Sequence, residues 1–298
     1  MNSANILRLI LLAAIWGASF LFIRISVAAF GPAMLVELRV GIAALFLWLV
    51  STRMKKSLSL SSHWRHYLII GVVNSALPFL LFAYAAGTLS ASLLSILNST
   101  APIFGAVVAS IWLRTPMDRS TIIGLIIGMC GVGLLVGSNV SIHGDNPWLP
   151  LIAGLGAPLC YGIASTYTKA NAVKLDPFNN AHGSLWMATL INLPMAFAAP
   201  PIHNPTMVDW AAATGLSVLC TGFAYLLYFR LIEDVGPMRA LTVTFLIPVF
   251  GVLWGTLFLG EPVGWNLLIG GVMILLGTGL ANGVLRFSGT HPVISEKG

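Results

Sequence analysis

The stretch PIFGAVVASIWLRTP at residues 102–116 returns later in the chain as PVFGVLWGTLFLGEP at residues 248–262. Both copies open with Pro-x-Phe-Gly and end in proline, and they stand 146 positions apart. Each contains one charged residue, Arg114 in the first and Glu261 in the second. Two nearly uncharged stretches of the same pattern indicate an internal repeat, which must be located before any architecture is assigned.

The repeat extends over most of the chain. Residues 68–134 slide onto 214–280 without a gap, and a shift of 145 places Trp16-Gly17 on Tyr161-Gly162. The sequence is therefore one unit written twice.

The composition indicates a membrane protein. Of 298 residues, 57% are hydrophobic and only 8% are charged, with a mean hydropathy of +0.91, whereas soluble domains have roughly 25% charged residues. A membrane helix needs about 20 mostly apolar residues. We therefore predict an all-α integral membrane protein with ten transmembrane helices, near residues 7–28, 32–51, 67–86, 91–113, 121–138, 148–170, 179–200, 208–230, 238–259 and 263–283.

Five spans in each copy is an odd number, so the second copy enters the membrane in the opposite sense. Two inverted repeats around a midplane site are the architecture of many secondary transporters, in which one half rocks against the other. We predict a first five-helix repeat at 1–138, an outer linker at 139–147, a second repeat at 148–283 and a cytoplasmic tail at 284–298.

Positive charges predict the orientation. With the N-terminus inside, the even-numbered connections and the termini carry the lysines and arginines, whereas the odd-numbered connections carry none. This bias is typical of cytoplasmic loops and explains the net charge of +6 without a nucleic-acid partner. We expect both termini in the cytoplasm and a multi-pass protein of the plasma (inner) membrane whose partners are the lipid bilayer and a small-molecule substrate. We expect a monomer or a weak homodimer.

Motifs for cofactor chemistry are absent from the sequence. There is no Gly-x-x-x-x-Gly-Lys-Ser/Thr loop for nucleotide and no His-Glu-x-x-His for zinc. We expect no cofactor, no metal and no enzymatic activity.

Several motifs, taken in order, resemble the drug/metabolite transporter superfamily, and within it the bacterial EamA-type permeases. The resemblance covers the full length. It implies ten helices and the carrier-mediated movement of small metabolites, commonly the export of amino acids or their derivatives. At the position of Glu261 the first copy has Thr115, which departs from the family pattern. The matching segments are Trp16-Gly17-Ala18-Ser19-Phe20, Arg39, Leu259-Gly260-Glu261-Pro262, Gly270 and Gly277-Thr278-Gly279.

Polar and aromatic residues inside the spans are the candidates for substrate contact. An amide or hydroxyl facing lipid is unfavourable, and aromatic rings near the midplane offer a surface for a planar or apolar side chain. Packing between helices is the alternative for the polar residues, and core packing is the alternative for the aromatic rings. The candidates are Trp16, Arg39, Asn74, Ser95, Asn98, Tyr161, Ser165 and Thr244.

Prolines within the spans predict helix breaks, because proline removes an intrahelical hydrogen bond and frees a carbonyl. We expect breaks or hinges at Pro78, Pro102 and Pro248. Pro102 and Pro248 occupy equivalent positions, and each is followed by glycine three residues later.

Charges in the outer part of the first two spans predict an ion pair. A lone charge at midspan is unfavourable by about 2.5–3.5 kcal/mol on an insertion scale. We therefore expect Glu37 to pair with Arg24 or Arg39, either as a gate or as a structural link between the helices. Arg39 is also the candidate for binding a substrate carboxylate.

The predicted function is a secondary transporter that moves amino acids or related metabolites, with export as the expected direction, by alternating access. One alternative is an exporter of purines, drugs or other small organic compounds from the same superfamily. A second alternative is an integral membrane enzyme, which would need a converged acid, base or nucleophile near one interface.

Overall fold

The computed structural model describes residues 3–56, 58, 60–137, 148–171 and 175–285. These residues form helices and connecting turns without any strand, so the all-α class is confirmed. The predicted linker at 139–147 and the tail beyond 285 lie outside the described residues. In chain order the helices are α1 (Ser3–Met54), α2 (Leu60–Ile70), α3 (Leu77–Ala86), α4 (Ala91–Asn98), α5 (Ala101–Trp112), α6 (Arg119–Gly137), α7 (Trp148–Asn171), α8 (Pro177–Ala198), α9 (Met207–Thr214), α10 (Ala224–Val235), α11 (Pro237–Ala240), α12 (Val243–Leu259) and α13 (Trp265–Ala281).

Long apolar helices confirm a multi-pass membrane protein. Within the described ranges, five helical runs are long and apolar enough to cross a bilayer, and three further apolar helices are shorter. The predicted number of ten spans stays a prediction. The five runs are Ser3–Met54, Ser62–Ala86, Ala91–Trp112, Trp148–Asn171 and Met207–Val235, and the three shorter helices are Arg119–Leu135, Val243–Leu259 and Trp265–Ala281.

The first two predicted spans form one long helix with a break at Gly31. Gly31 has φ of 70° and ψ of 166°, a left-handed conformation that glycine adopts without a steric penalty. Pro32 follows and has no N–H to continue the ladder. The carbonyl of Ala29 accepts a hydrogen bond from the backbone of Ile202 at 2.8 Å. The break therefore divides α1 into an arm of residues 3–30 and an arm of residues 32–54.

The third span of each copy contains a wider helical segment that the sequence analysis did not predict. The π-helical segments Gly71–Ala76 and Gly215–Phe223 join α2 to α3 and α9 to α10. The shift of 146 places Gly71 on Ser217, so the two widenings occupy equivalent positions. Such widenings are frequent at functional sites, and one of them holds a partner of Arg39.

The three prolines lie in different helical settings. The predicted span at 91–113 breaks between α4 and α5, and Pro102 is in the first turn of α5. Pro78 lies in the first turn of α3, directly after the π-helical segment. Pro248 lies inside α12, which continues past it. The hinge role predicted for these residues stays a prediction, and the equivalent positions Pro102 and Pro248 differ in local structure.

Each copy packs its first helix against the fourth span of the other copy. A Cβ added to Gly17 would meet Phe250 Cβ at 2.7 Å and the Gly251 backbone at 2.9 Å. A Cβ added to Gly162 would meet the Gly105 backbone at 2.8 Å. Gly162 is equivalent to Gly17, and Gly105 is equivalent to Gly251. The two contacts are therefore the same contact with the copies exchanged, as a pseudo-two-fold relation requires.

The last helices of the two copies, α6 and α13, pack together through glycines. Here too, each contact has an equivalent in which the two copies exchange places. A Cβ on Gly131 would approach the Gly270 carbonyl at 2.8 Å, and a Cβ on Gly270 would approach the Gly131 carbonyl at 3.0 Å. Gly124 and Gly277 form the equivalent pair, in which each would collide with the carbonyl of the other. Close backbone packing through small residues is a common way for membrane helices to associate.

Candidate functional site

Arg39 is the charged residue around which the candidate site is built. It lies on the second arm of α1 and is 8% exposed. Its guanidinium carbon is 3.5 Å from the centre of the Phe79 ring on α3, and its Nε donates a hydrogen bond to Thr221 Oγ1 at 3.1 Å. Tyr161 and Tyr225 lie within electrostatic range of its charge. No carboxylate among the described residues pairs with Arg39.

Two pairs of aromatic rings lie on the helices that carry Arg39 and its neighbours Phe79, Tyr161 and Tyr225. Trp16 and Tyr228 have ring centres 5.2 Å apart, and Phe82 and Tyr161 have ring centres 6.4 Å apart. Tyr161 is equivalent to Trp16, and Tyr228 is equivalent to Phe82. The two ring pairs are therefore one contact with the copies exchanged, and each pair joins the two repeats.

Arg39 breaks this symmetry. Its equivalent in the second copy is Ser184, and the equivalent of its partner Thr221 is Ser75. The Ser75 hydroxyl is buried and has no hydrogen-bond partner within the described structure. Ser184 donates instead to the carbonyl of Ala181 at 3.0 Å. Because serine is too short to reach where an arginine would, the exchanged position has the acceptor hydroxyl, on Ser75 of the first copy, without a cation from the second copy. Of the cluster residues that the structure describes, Arg39 alone is charged, so the positive charge lies on one side of a nearly symmetric arrangement.

The predicted ion pair of Glu37 is wrong. Glu37 Oε2 accepts a hydrogen bond from the side chain of Asn192 on α8 at 3.2 Å, and the same amide nitrogen donates to the carbonyl of Ala33 at 2.9 Å. Arg24 donates instead to the backbone carbonyls of Ala86 and Gly87, at 2.5 and 3.1 Å. These carbonyls lie at the end of α3 and are free to accept hydrogen bonds. Arg24 therefore binds a helix end, and not the carboxylate of Glu37.

The two predicted serine contacts lie in different environments. Ser95 is buried and donates to the carbonyl of Ser92 at 2.7 Å, and a Cβ on Gly251 would collide with it. Ser165 is exposed, donates to the Gly162 carbonyl at 2.9 Å, and lies 3.7 Å from where a Cβ of Gly105 would be. Helix packing is the arrangement found for Ser95, and the substrate-contact role of the exposed Ser165 stays a prediction.

The other polar candidates are half-buried. Thr244 donates to the carbonyl of Leu241 at 2.8 Å. Asn74, in the first π-helical segment, and Asn98, at the end of α4, make no side-chain hydrogen bond to any other described residue. Their amides remain able to bind a ligand, and the substrate-contact role of all three stays a prediction.

Sequence reasoning found Trp16, Arg39 and Tyr161 but missed the rest of the cluster. The sequence analysis does not select Phe79, Phe82, Thr221, Tyr225 or Tyr228, because aromatic rings and hydroxyls occur in many of the predicted spans. The internal repeat contains the information that identifies these residues. The shift of 145 pairs Trp16 with Tyr161, and the shift of 146, applied to α3, pairs Phe79 with Tyr225 and Phe82 with Tyr228.

The arrangement can bind and orient a small molecule. The guanidinium N–H groups that Thr221 does not take are suited to a carboxylate, which arginine binds through two parallel hydrogen bonds. The ring pairs provide flat apolar surfaces beside this charge. Within the described ranges, no group of three or more histidine, cysteine, aspartate or glutamate side chains could hold a metal ion.

Known transporters have sequences similar to this chain over most of its length. An uncharacterized transporter of Bacillus subtilis (strain 168), YvbV, is 25% identical over 93% of this chain and 90% of its own length. An uncharacterized transporter of Archaeoglobus fulgidus is also 25% identical, over 93% of this chain and 96% of its own. A solved crystal structure superposes with a TM-score of 0.67 at 15% sequence identity, covering 95% of this chain and 98% of that chain, which supports the fold.

The profile of the EamA-like transporter family matches the chain twice, at residues 4–137 and again at 148–283. The two matches together cover nearly the whole sequence, and they confirm two repeats. The resemblance inferred from the motifs is confirmed, and the chain belongs to the EamA-like transporter family.

Proposed function

We propose that this transporter exports small organic acids or zwitterions, with amino acids and their derivatives as the substrate class, by alternating access between its two repeats. The observation that carries the proposal is Arg39, a buried cation against the Phe79 ring with no carboxylate partner among the described residues. Within the described ranges only its Nε is used in a hydrogen bond, to Thr221, so the other guanidinium donors are available to a substrate carboxylate.

The environment of Arg39 favours an anionic group on the substrate. A charged side chain in a membrane protein is unfavourable unless it is paired or faces a polar cavity. The Phe79 ring contributes a cation-π contact, which is weaker than an ion pair, and Thr221 takes only one donor. A substrate carboxylate would complete the coordination of the guanidinium, so binding energy would come from a charge that is otherwise poorly solvated.

The ring pairs favour an apolar or planar side chain at the other end of the substrate. Each pair takes one ring from each repeat, so rocking one repeat against the other must change both pairs together. A molecule held at this position would contact both repeats in either state, which is the geometry that alternating access requires.

Orientation in the plasma membrane, with both termini in the cytoplasm, is part of the proposal. It is supported by the lysines and arginines of the even-numbered connections, among them Arg53, Arg114 and Arg230. Under this topology the connection between α3 and α4 and the connection between α12 and α13 face outward.

Counterflow in proteoliposomes tests the substrate class. Vesicles preloaded with unlabelled compound are given a radiolabelled panel of aromatic and aliphatic amino acids, their N-acetyl and amide derivatives, nucleobases and a hydrophobic cation. We expect saturable exchange for compounds with a free carboxylate, and none for the matching amides. Exchange of nucleobases or the cation with no response to carboxylates would instead favour the purine or drug exporter, and flux without saturation would contradict a carrier.

A further inference from the structure

The carboxylate of Glu261 joins the two repeats at one end of the molecule. Gly260, with φ of 64°, ends α12 and turns the chain, and the Glu261 backbone donates to the Gly255 carbonyl at 3.2 Å. Its side chain then reaches α4 in the first repeat. Oε1 accepts from the backbone N–H of Ala91 at 2.7 Å, and Oε2 accepts from the N–H of Ser92 at 2.9 Å and from the Ser92 hydroxyl.

These groups are the first donors of α4, which the helix cannot satisfy internally. Ser90 takes the next donor, since its hydroxyl accepts from the N–H of Leu93 at 3.1 Å. A carboxylate at a helix N-terminus is favoured by the helix dipole and by charge-assisted hydrogen bonds. Glu261 is half-buried here, so water weakens these bonds less than on an open surface.

Gly255 makes room for this contact. It is buried on α12, and a Cβ at this position would collide with Glu261 Oε2 and lie 2.6 Å from Ser92 Oγ. A glycine is therefore required for the carboxylate to reach α4, which indicates that the contact depends on the backbone of both helices.

Among the residues that the structure describes, the opposite end of the molecule has no equivalent contact. The shift of 146 maps Glu261 onto Thr115, Gly255 onto Ala109 and Ala91 onto Pro237. Threonine has no charge, alanine fills the space that glycine leaves, and proline has no N–H to donate. All three components of the contact are missing from the exchanged position, although the fold around it is repeated.

We propose that Glu261 is the latch of the outer gate: it positions α4 against the connection between α12 and α13 and must release before the site opens outward. That the two connections form a gate, and that they face outward, rests on the proposed function and topology. Because the latch is present at one end only, it biases the empty carrier toward the inward-facing state, in which an exporter takes up its substrate. Glu261 thereby acts as a positioning residue, without touching the substrate.

Side-specific labelling of Cys220 tests the latch without a substrate. Cys220 is buried near Arg39, and its thiol donates to the Ile15 carbonyl at 3.1 Å. With Cys130→Ser and Cys160→Ser as background, a membrane-impermeant maleimide is applied to intact cells and to inverted vesicles. We expect Glu261→Ala to raise the labelling rate from outside about tenfold, equivalent to ~1.4 kcal/mol, which is no more than one hydrogen bond to a charged group is usually worth.

Two more variants separate a latch from a folding defect. Gly255→Ala keeps the carboxylate but displaces it, and it should raise outside labelling in the same direction. Thr115→Ala, at the exchanged position, should leave both rates unchanged. An unfolded protein would be labelled faster from both sides. The latch is excluded if the outside rate does not change in Glu261→Ala and Gly255→Ala, if the rates from the two sides rise equally, or if only the inside rate rises.

The labelling experiment and the counterflow experiment fail independently. If no compound of the panel exchanges but outside labelling rises as expected, the proposed substrate class is wrong and the latch stands. If carboxylates exchange and outside labelling is unchanged, the substrate class stands and the latch is wrong.

Discussion

The guanidinium carbon of Arg39 lies 3.5 Å from the centre of the Phe79 ring, and its Nε–H donates a hydrogen bond to Thr221 Oγ1. The first repeat therefore supplies the cation, and the second repeat supplies the hydroxyl that orients it. The equivalent pair in the exchanged position, Ser184 and Ser75, cannot make this bond. A carrier built from two nearly equal halves therefore has its charge on one side, and substrate binding is expected to depend on that side.

Replacing Arg39 tests the charge. We expect Arg39→Gln to reduce kcat/KM for carboxylate substrates by about 10- to 100-fold, the range that corresponds to losing a hydrogen bond to a charged group. Arg39→Lys should recover only part of this, since lysine keeps the charge but not the two parallel donors. Counterflow rates over a range of substrate concentrations measure the effect. Arg230→Gln, at an exposed arginine, is the control and should behave as the wild type.

Removing the Thr221 hydroxyl tests the orientation of Arg39 without changing its charge. Thr221→Val keeps the shape of the side chain but leaves Arg39 Nε without its acceptor, so we expect KM to rise about tenfold. Ser75→Ala is the matched control, because the Ser75 hydroxyl has no hydrogen-bond partner among the described residues. It should leave KM unchanged and should not lower the thermal stability. Equal effects of both variants would contradict the asymmetric role given to Arg39.

Close helix packing predicts where a single methyl group is not tolerated. Gly17→Ala and Gly162→Ala would each place a Cβ within 3 Å of backbone atoms of the other repeat. Overpacking of this kind destabilises by about 1–3 kcal/mol, and the two variants should lower the midpoint of thermal unfolding in detergent by similar amounts. A Cβ on Gly133 meets nothing within 4 Å. Gly133→Ala should therefore be neutral or slightly stabilising, and a loss of stability there would contradict the packing argument.

The fold class and the repeat could be predicted from the sequence because each rests on a regular pattern. Span length and composition indicate membrane helices, and gap-free shifts of 145 and 146 indicate duplication. Arg39 was found because a charge in an apolar span is rare.

The partners of the polar residues could not be predicted in the same way. Glu37 takes its hydrogen bond from Asn192, and Arg24 binds the end of α3. Both contacts depend on which faces of distant helices meet. The periodicity of a single helix gives no information about this. The π-helical segments have no sequence signal of their own either, yet one of them sets the position of Thr221.

The equivalent prolines should differ in effect because only one lies inside a continuous helix. Pro102 is in the first turn of α5, where a backbone N–H has no partner to lose, so Pro102→Ala should change transport and stability little. Pro248 interrupts the ladder inside α12, and Pro248→Ala restores the hydrogen bond to the Thr244 carbonyl. An interior proline destabilises a helix by about 3 kcal/mol, so this variant should be more stable. If α12 bends during transport, the Pro248→Ala variant should also transport substrate several times more slowly. Counterflow rates and thermal unfolding of the two variants measure the contrast, and unchanged turnover in both would rule out a hinge at either position.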